Sequence, residues 1–413
     1  MMTNNYIQQL FAERISKKKS SLDEDGYKFG KIKRVKKEAM LANPDMELID
    51  LGIGEPDKMA DNSIVEILKQ EAQKPENRFY ADNGIDELKQ AAASYMENVF
   101  GVSDLNPDTE INHIIGSKSA LAMLPAAFIN PGDITLMPSP CYPVLGTHTK
   151  YYGGEVISFP LLEENEFLPN LNLLDEEILK SAKLLYLNYP NNPTGAVANK
   201  DFFEQVVQFA KQYELIVVHD AAYAVLVFDD TKPLSFLSIP GAKEVGVELH
   251  SLSKSFNMTG WRIGFIAGNA EIVKAFAEIK DNSDSGQFIP IQKAAAYALN
   301  HPEITKETAL KYSRRHEKLT TVLNSYGFNV TKPKGSFFLY TKIPQRTADG
   351  TKFDTAEQFS QYLLREHLIS TVPWDDVGPF VRLSVTFQAS DIQEEDRIIE
   401  EIKRRVSRDQ FIF

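Results

Sequence analysis

The run Leu215-Ile-Val-Val-His-Asp220 constrains the fold of this chain more than any other stretch. Four apolar residues in a row offer water no polar face, so a strand made from them must be covered on both sides, as parallel-sheet strands are. Related runs recur. Ile111-Asn-His-Ile-Ile-Gly116 reads as a strand, a glycine turn and a helix start, and Ile134-Thr-Leu-Met137 runs into a turn bounded by prolines. Lys183-Leu-Leu-Tyr-Leu-Asn188 ends in a turn rich in Asn and Pro; Val245-Gly-Val-Glu-Leu249 and Gly264-Phe-Ile-Ala-Gly268 follow. Residues 63–73, 201–213 and 270–279 have the apolar spacing of helices. Strands alternating with helices predict an α/β chain whose mostly parallel sheet is sandwiched by helices. In such sheets ligands bind at the carboxyl ends of the strands, where Asp220 stands.

At 413 residues the chain suits two domains. Helices from 291 to 326 precede three further strand-like stretches, Gly327-Phe-Asn-Val330, Gly335–Tyr340 and Val381–Val385, which read as a second, smaller sheet. The expected division is an arm over 1–35, a large domain over 61–290 and a smaller α+β domain from 36–60 and 291–413. The arm is polar and basic, either packed on a partner subunit or frayed in solvent. A net charge of −12 argues against nucleic acid and anionic membranes as partners. No apolar run approaches the roughly 20 residues of a membrane span, and the N-terminus carries no signal core. One cysteine, Cys141, allows no internal disulfide, so a cytoplasmic protein is expected. With no base beside it in sequence, Cys141 reads as a buried structural thiol.

The chemistry concentrates in Ser251-Leu-Ser-Lys-Ser-Phe-Asn-Met-Thr-Gly-Trp-Arg-Ile-Gly264. Desolvation of Lys254 between a strand end and a glycine-rich turn would lower its ammonium pKa and make a nucleophilic, imine-forming amine. Arg262, with Ser251 and Ser253, offers charge-assisted bonds to a phosphate. An imine-forming amine beside a phosphate seat is what pyridoxal 5'-phosphate requires; a surface loop with solvated Lys and Arg is the plain alternative. The helix start after Gly116 offers free amide groups to an anion, with Ser117, Lys118 and Ser119 nearby. Tyr142, held among prolines, suits stacking on a ring, though a core tyrosine would look the same. Asp220 could equally cap the next helix. Arg382 lies mid-strand among apolar neighbours, where an arginine wants a carboxylate, from a ligand or from the protein itself. No metal ion is called for.

Ser-Leu-Ser-Lys254 followed by Gly-Trp-Arg262-Ile-Gly resembles the lysine signature of the class I/II aminotransferases, the fold-type I pyridoxal-phosphate enzymes. Asn192-Pro-Thr-Gly195 after a strand is a marker of the same family, and Gly54, Ser117, Tyr142, Asn192, Asp220, Tyr223, Lys254, Arg262 and Arg382 occur in family order. The resemblance implies a seven-stranded, mostly parallel sheet in the large, cofactor-binding domain. It implies Lys254 as the Schiff-base lysine, Asp220 paired with the pyridine nitrogen, and Asn192 and Tyr223 on the phenolic oxygen. Gly54 and Arg382 would meet the substrate carboxylate. Tyr80, in Asn77-Arg-Phe-Tyr-Ala-Asp-Asn-Gly84, would reach the phosphate of a neighbouring subunit, which implies a homodimer. Lys254, displaced by the substrate amine, would then move the proton between the α-carbon and the cofactor as general base and acid.

A pyridoxal-type transcription regulator would need a DNA-binding head before Leu48. A nicotinamide dehydrogenase would need Gly-x-Gly-x-x-Gly after an early strand, and the chain has none. A C–S lyase or a cyclopropane-carboxylate synthase shares these motifs and stays open. Tyr27-Lys-Phe-Gly-Lys-Ile32 with Leu51-Gly-Ile-Gly-Glu-Pro56 resembles the opening of one branch, the LL-diaminopimelate aminotransferases. That branch implies 2-oxoglutarate as acceptor, with Tyr27 at the substrate. The stretch 281–287 holds no arginine for a second carboxylate, whereas Lys118, Asn282 and Ser283 could hydrogen-bond a zwitterionic distal end. Aspartate, aromatic or alanine-type donors are the alternative.

Overall fold

The computed structural model describes residues 6–15 and 28–413. Among them, seven strands form one sheet: Ile111–Ile114 (β1), Ile134–Ser139 (β2), Glu155–Pro160 (β3), Ala182–Asn188 (β4), Ile216–Asp220 (β5), Gly246–Ser251 (β6) and Gly264–Gly268 (β7). Their order is β3-β2-β4-β5-β6-β7-β1. All pairs from β3 to β6 are parallel; β7 runs antiparallel to both its neighbours. Leu184, Leu185, Tyr186, Leu187, Val217, Val218, Val247 and Leu249 are all at 0% exposure, the double-sided burial expected of unbroken apolar strands.

Two apolar cores cover its two faces. One gathers Leu185, Leu187 and Val217 under Phe202, Phe203 and Val206 of the helix Lys200–Tyr213. The other sets Leu184, Tyr186 and Val218 against Leu121 and Leu124 of the helix Ser117–Phe128. Several helices are stopped at their start by a side-chain cap: Asp61 accepts from Ser63, Asn199 from Phe202, Asn269 from Glu271, and Thr355 from Gln358.

A separate core joins Ile49 and Leu51 to Phe328, Val330, Phe337–Leu339, Phe359, Val381, Leu383 and Ile399. It carries a three-stranded antiparallel sheet, Phe338–Lys342 (β8), Val372–Trp374 (β9) and Phe380–Ser384 (β10), ordered β9-β10-β8. The stretch 327–330, expected as a strand, is not one. Asn324 brackets it instead, its Nδ2 donating to Val330 O and its Oδ1 accepting from Val330 N, both at 2.9 Å. An asparagine thus satisfies the backbone groups that a neighbouring strand would have taken.

The helix Ile289–Asn300 lies on the helices Asn62–Ala72 and Asp86–Phe100 and puts Ala294, Ala295, Ala298 and Leu299 into the first core of the large sheet. Position 291 falls inside this helix. The helix Lys28–Ala42 packs Val35 and Ala39 against Leu364 and Leu368. Tyr27 lies outside the described residues. Among the described residues no helix is long and apolar enough to cross a membrane.

Candidate active site

Asp220 is the last residue of β5 and sits in register with Asn188, the last of β4. Asn188 ties the two strand ends together: its Nδ2 donates to Asp220 O at 2.8 Å and its Oδ1 accepts from Asn192 N at 2.8 Å. The Asp220 carboxylate is buried, and its bonds are long, 3.4 Å from Tyr186 OH and 3.3 Å from Ala222 N. Burial pushes its pKa up to about 6, with the neighbouring His219 the largest opposing influence. A carboxylate so weakly satisfied accommodates a cation.

β6 ends at Ser251, whose hydroxyl accepts from Ser253 N at 3.1 Å and caps the single turn Leu252–Ser255. That turn presents Lys254. Its Nζ donates to Gly54 O at 2.7 Å and stands 5.8 Å from the ring centre of Phe337. Burial lowers its pKa to about 8; Glu55 opposes this, Arg262 and Arg382 push further down, and Asp220 opposes again. The amine therefore sits near neutrality, where it can both take and give a proton.

The helix Ser117–Phe128 starts at Gly116 with no side-chain cap. Ser119 N is taken by Gly116 O at 3.1 Å, and the amides of Ser117 and Lys118 are left to an anion. Gly116 has φ +74°, and a Cβ there would meet Arg262 Nη2 at 2.1 Å, so the guanidinium lies directly over the turn. Arg262 Nη1 is held by Thr259 O at 2.7 Å and Ser253 Oγ at 3.2 Å. Ser117 Oγ is buried there with no protein partner. An orphaned hydroxyl, uncapped amides and a fixed guanidinium lie together near the amine, a set of donors that could hold an anion.

Arg382 lies in the middle of β10, over the ring of Phe338 at 4.1 Å. Its Nη1 donates to Asn192 Oδ1 at 2.9 Å and its Nη2 to Gly52 O at 3.0 Å, whereas the buried Nε has no partner. Tyr223 is buried edge-on to Phe337 and Phe338, and burial raises its phenol. The segment Leu51–Gly54 organises both cations by alternation. Carbonyls of Leu51 and Ile53 accept from Ser384 N and Thr386 Oγ1, while those of Gly52 and Gly54 accept from Arg382 and Lys254.

Other expected residues stand apart. Tyr80 is 84% exposed. Lys118 is exposed, and Ser119 Oγ turns back to Gly116 O at 2.9 Å. Asn282 and Ser283 bond to carbonyls of their own helix, Glu278 O and Ile279 O. Tyr142 is half-buried against the second core of the sheet, beside Cys141, whose thiol burial pushes up to about 12. Sequence reasoning missed Asn188, Tyr186 and Gln287. Gln287 Nε2 donates to Trp261 O and Arg262 O at 2.6 and 2.8 Å and steadies the turn that carries Arg262. Its position just after the polar loop 281–286 was the available signal.

A family model described as Aminotransferase class I and II matches residues 46–400. The chain is 59% identical over 410 residues to the LL-diaminopimelate aminotransferase of Methanocaldococcus jannaschii, covering 97% of this chain and 98% of that protein. It is 57% identical to the Methanococcus maripaludis enzyme of the same name, covering 99% of each. Among solved structures, BacF from Bacillus subtilis superposes with a TM-score of 0.83 at 36% identity, over 91% of this chain and 94% of that one.

Proposed function

The chain belongs to the class I and II aminotransferases, and from that membership we propose that it moves the amino group of LL-diaminopimelate to 2-oxoglutarate with pyridoxal 5'-phosphate as cofactor. One observation carries the reading. Lys254 and Arg382 hang on Gly54 O and Gly52 O, alternate carbonyls of one segment, so an amine and a carboxylate clamp share a single ruler. An α-amino acid gripped by Arg382 brings its α-carbon toward Nζ.

The residues fit the cofactor. Arg262, Ser117, Ser253 and the open amides after Gly116 would hold its phosphate, and Asp220, weakly satisfied and buried, would pair with its ring nitrogen. Asn192 and Tyr223 would face its phenolic oxygen, Tyr142 its ring, and Lys254 its aldehyde carbon. When bound, the group supplies a sink for the electrons of a bond broken at the substrate α-carbon. Arg382 binds the α-carboxylate with the donor its scaffold leaves free, Nε, and so orients the α-hydrogen toward Lys254. Lys254 Nζ, its pKa lowered to about 8, would take that proton from the α-carbon and pass it to the cofactor's aldehyde carbon, the shift that turns the amino acid into its 2-oxo acid.

The two relatives matched over nearly their whole length support the donor. The exposed side chains of Tyr80 and Phe79 support a homodimer in which this loop meets a second copy. The lone Cys141 supports a cytoplasmic location. We also draw the boundary of the large domain after Asn300, since the helix ending there belongs to its core. The test is an amino-donor panel at fixed 2-oxoglutarate, scored by kcat/KM. LL-diaminopimelate should lead by tenfold or more, since a lost buried polar contact costs about 1–3 kcal/mol. If aspartate leads, the donor assignment is wrong although the family stands.

A further inference from the structure

Lys254 and Arg382 both rest on carbonyls of the Leu51–Gly54 segment, and a buried ion cluster anchors its far end. The Asp57 side chain is 0% exposed and accepts from Lys311 Nζ at 2.5 Å and Arg315 Nη2 at 2.8 Å. Arg315, also at 0%, donates its Nε to Glu395 Oε1 at 2.9 Å and its Nη1 to both Val385 O and Phe387 O at 2.9 Å. Arg314 adds two bonds of 2.9 Å to the same Glu395. One planar guanidinium thus fixes four things at once: the substrate-facing segment, the chain just past Arg382, the helix Ile392–Val406, and its own helix Ile304–Ser325. Its fork geometry leaves no slack between them.

Stability alone is a weak reason for such a cluster, because desolvating buried ions offsets most of their attraction. What it delivers is register. The carbonyls of Leu51 and Ile53 dock on Ser384 and Thr386, and Val385 and Phe387, interleaved with those two residues, dock on Arg315. Asp57 closes the loop by bringing the segment's own end to the same guanidinium.

We propose that Asp57 and Arg315 are positioning residues for the amino-transfer reaction: their ion pair sets the height of the Gly52 and Gly54 carbonyls and thereby the separation of Arg382 from Lys254. The proposal rests on the cofactor reading above. It concerns the carboxylate clamp and leaves the anion seat around Arg262 untouched.

The experiment compares Asp57→Asn and Arg315→Lys with Glu395→Gln in the cofactor-loaded enzyme. Glu395 belongs to the cluster but lies beyond Arg315 from the segment. Asp57→Asn and Arg315→Lys should raise KM for donor and for 2-oxoglutarate by about tenfold or more, with kcat changed by less than about threefold. They should also speed amide exchange at Leu51 and Ser384. Glu395→Gln should lower the melting temperature with KM unmoved. The visible cofactor band and its loss on borohydride reduction report separately on the cofactor reading, and the exchange rates judge the segment even without it. The proposal is overturned if both segment-side variants change only the melting temperature, or if Glu395→Gln raises KM as much as they do.

Discussion

Replacing Lys254 by Met should stabilise the cofactor-stripped protein at neutral pH and destabilise it in strong alkali. The side chains are close in shape, so packing changes little, and the difference is one buried charge. Burial lowers Lys254 from 10.5 to about 8 in the folded chain. At about 1.4 kcal/mol per tenfold, holding the ammonium charged below pH 8 costs the fold about 3 kcal/mol. Losing the bond to Gly54 O returns about 1 kcal/mol of that, leaving Lys254→Met ahead by about 2 kcal/mol at pH 7. Between pH 8 and 10.5 the unfolded lysine keeps a proton that the folded one has shed, so wild-type stability rises with pH through that window. Above it the folded amine is neutral, the cost has vanished, and only the lost bond remains, so the order reverses. Thermal unfolding of both proteins at half-unit steps from pH 7 to 11 reads this as a difference of a few degrees that crosses zero. A variant less stable at every pH, by a constant amount, would refute the desolvated amine.

Two further outcomes follow from the same geometry. Gly116→Ala puts a methyl 2.1 Å from Arg262 Nη2 at a φ of +74°, so cofactor affinity should fall by about tenfold or more, on titration of the visible band, while Lys254 is chemically unchanged; undiminished affinity would separate Arg262 from the anion seat. Arg382→Lys keeps the charge but loses the fork between Asn192 and Gly52, and KM for the donor should rise on the order of a hundredfold with the bound-cofactor spectrum intact, an unchanged KM counting against the clamp.

Much of the site was readable because it is built from strand ends. Asp220, Ser251 and Gly116 each follow an apolar run or its turn, and in a parallel sheet every such end points to the same edge, so chain order alone brings them near one another. The smaller sheet was legible at Arg382 for a similar reason, an unpaired charge among apolar neighbours. The stretch 327–330 misled because a pattern of glycine and apolar residues reports burial, and burial does not say whether a strand or one asparagine side chain supplies the hydrogen bonds.

Local pattern thus picked out the residues proposed to bear the chemistry: an amine at a strand–turn junction, an acid at a strand's carboxyl end, an arginine in an apolar strand. Only the tertiary structure decided how they are spaced. Lys254 reaches Gly54 across 200 residues and Arg382 reaches Gly52 across 330, and Arg315 gathers Asp57, Val385, Phe387 and Glu395 from three separate stretches. Backbone carbonyls carry no sequence identity, so no pattern of side chains announces which of them will be turned toward a distant cation; that depends on where the packed cores leave the chain.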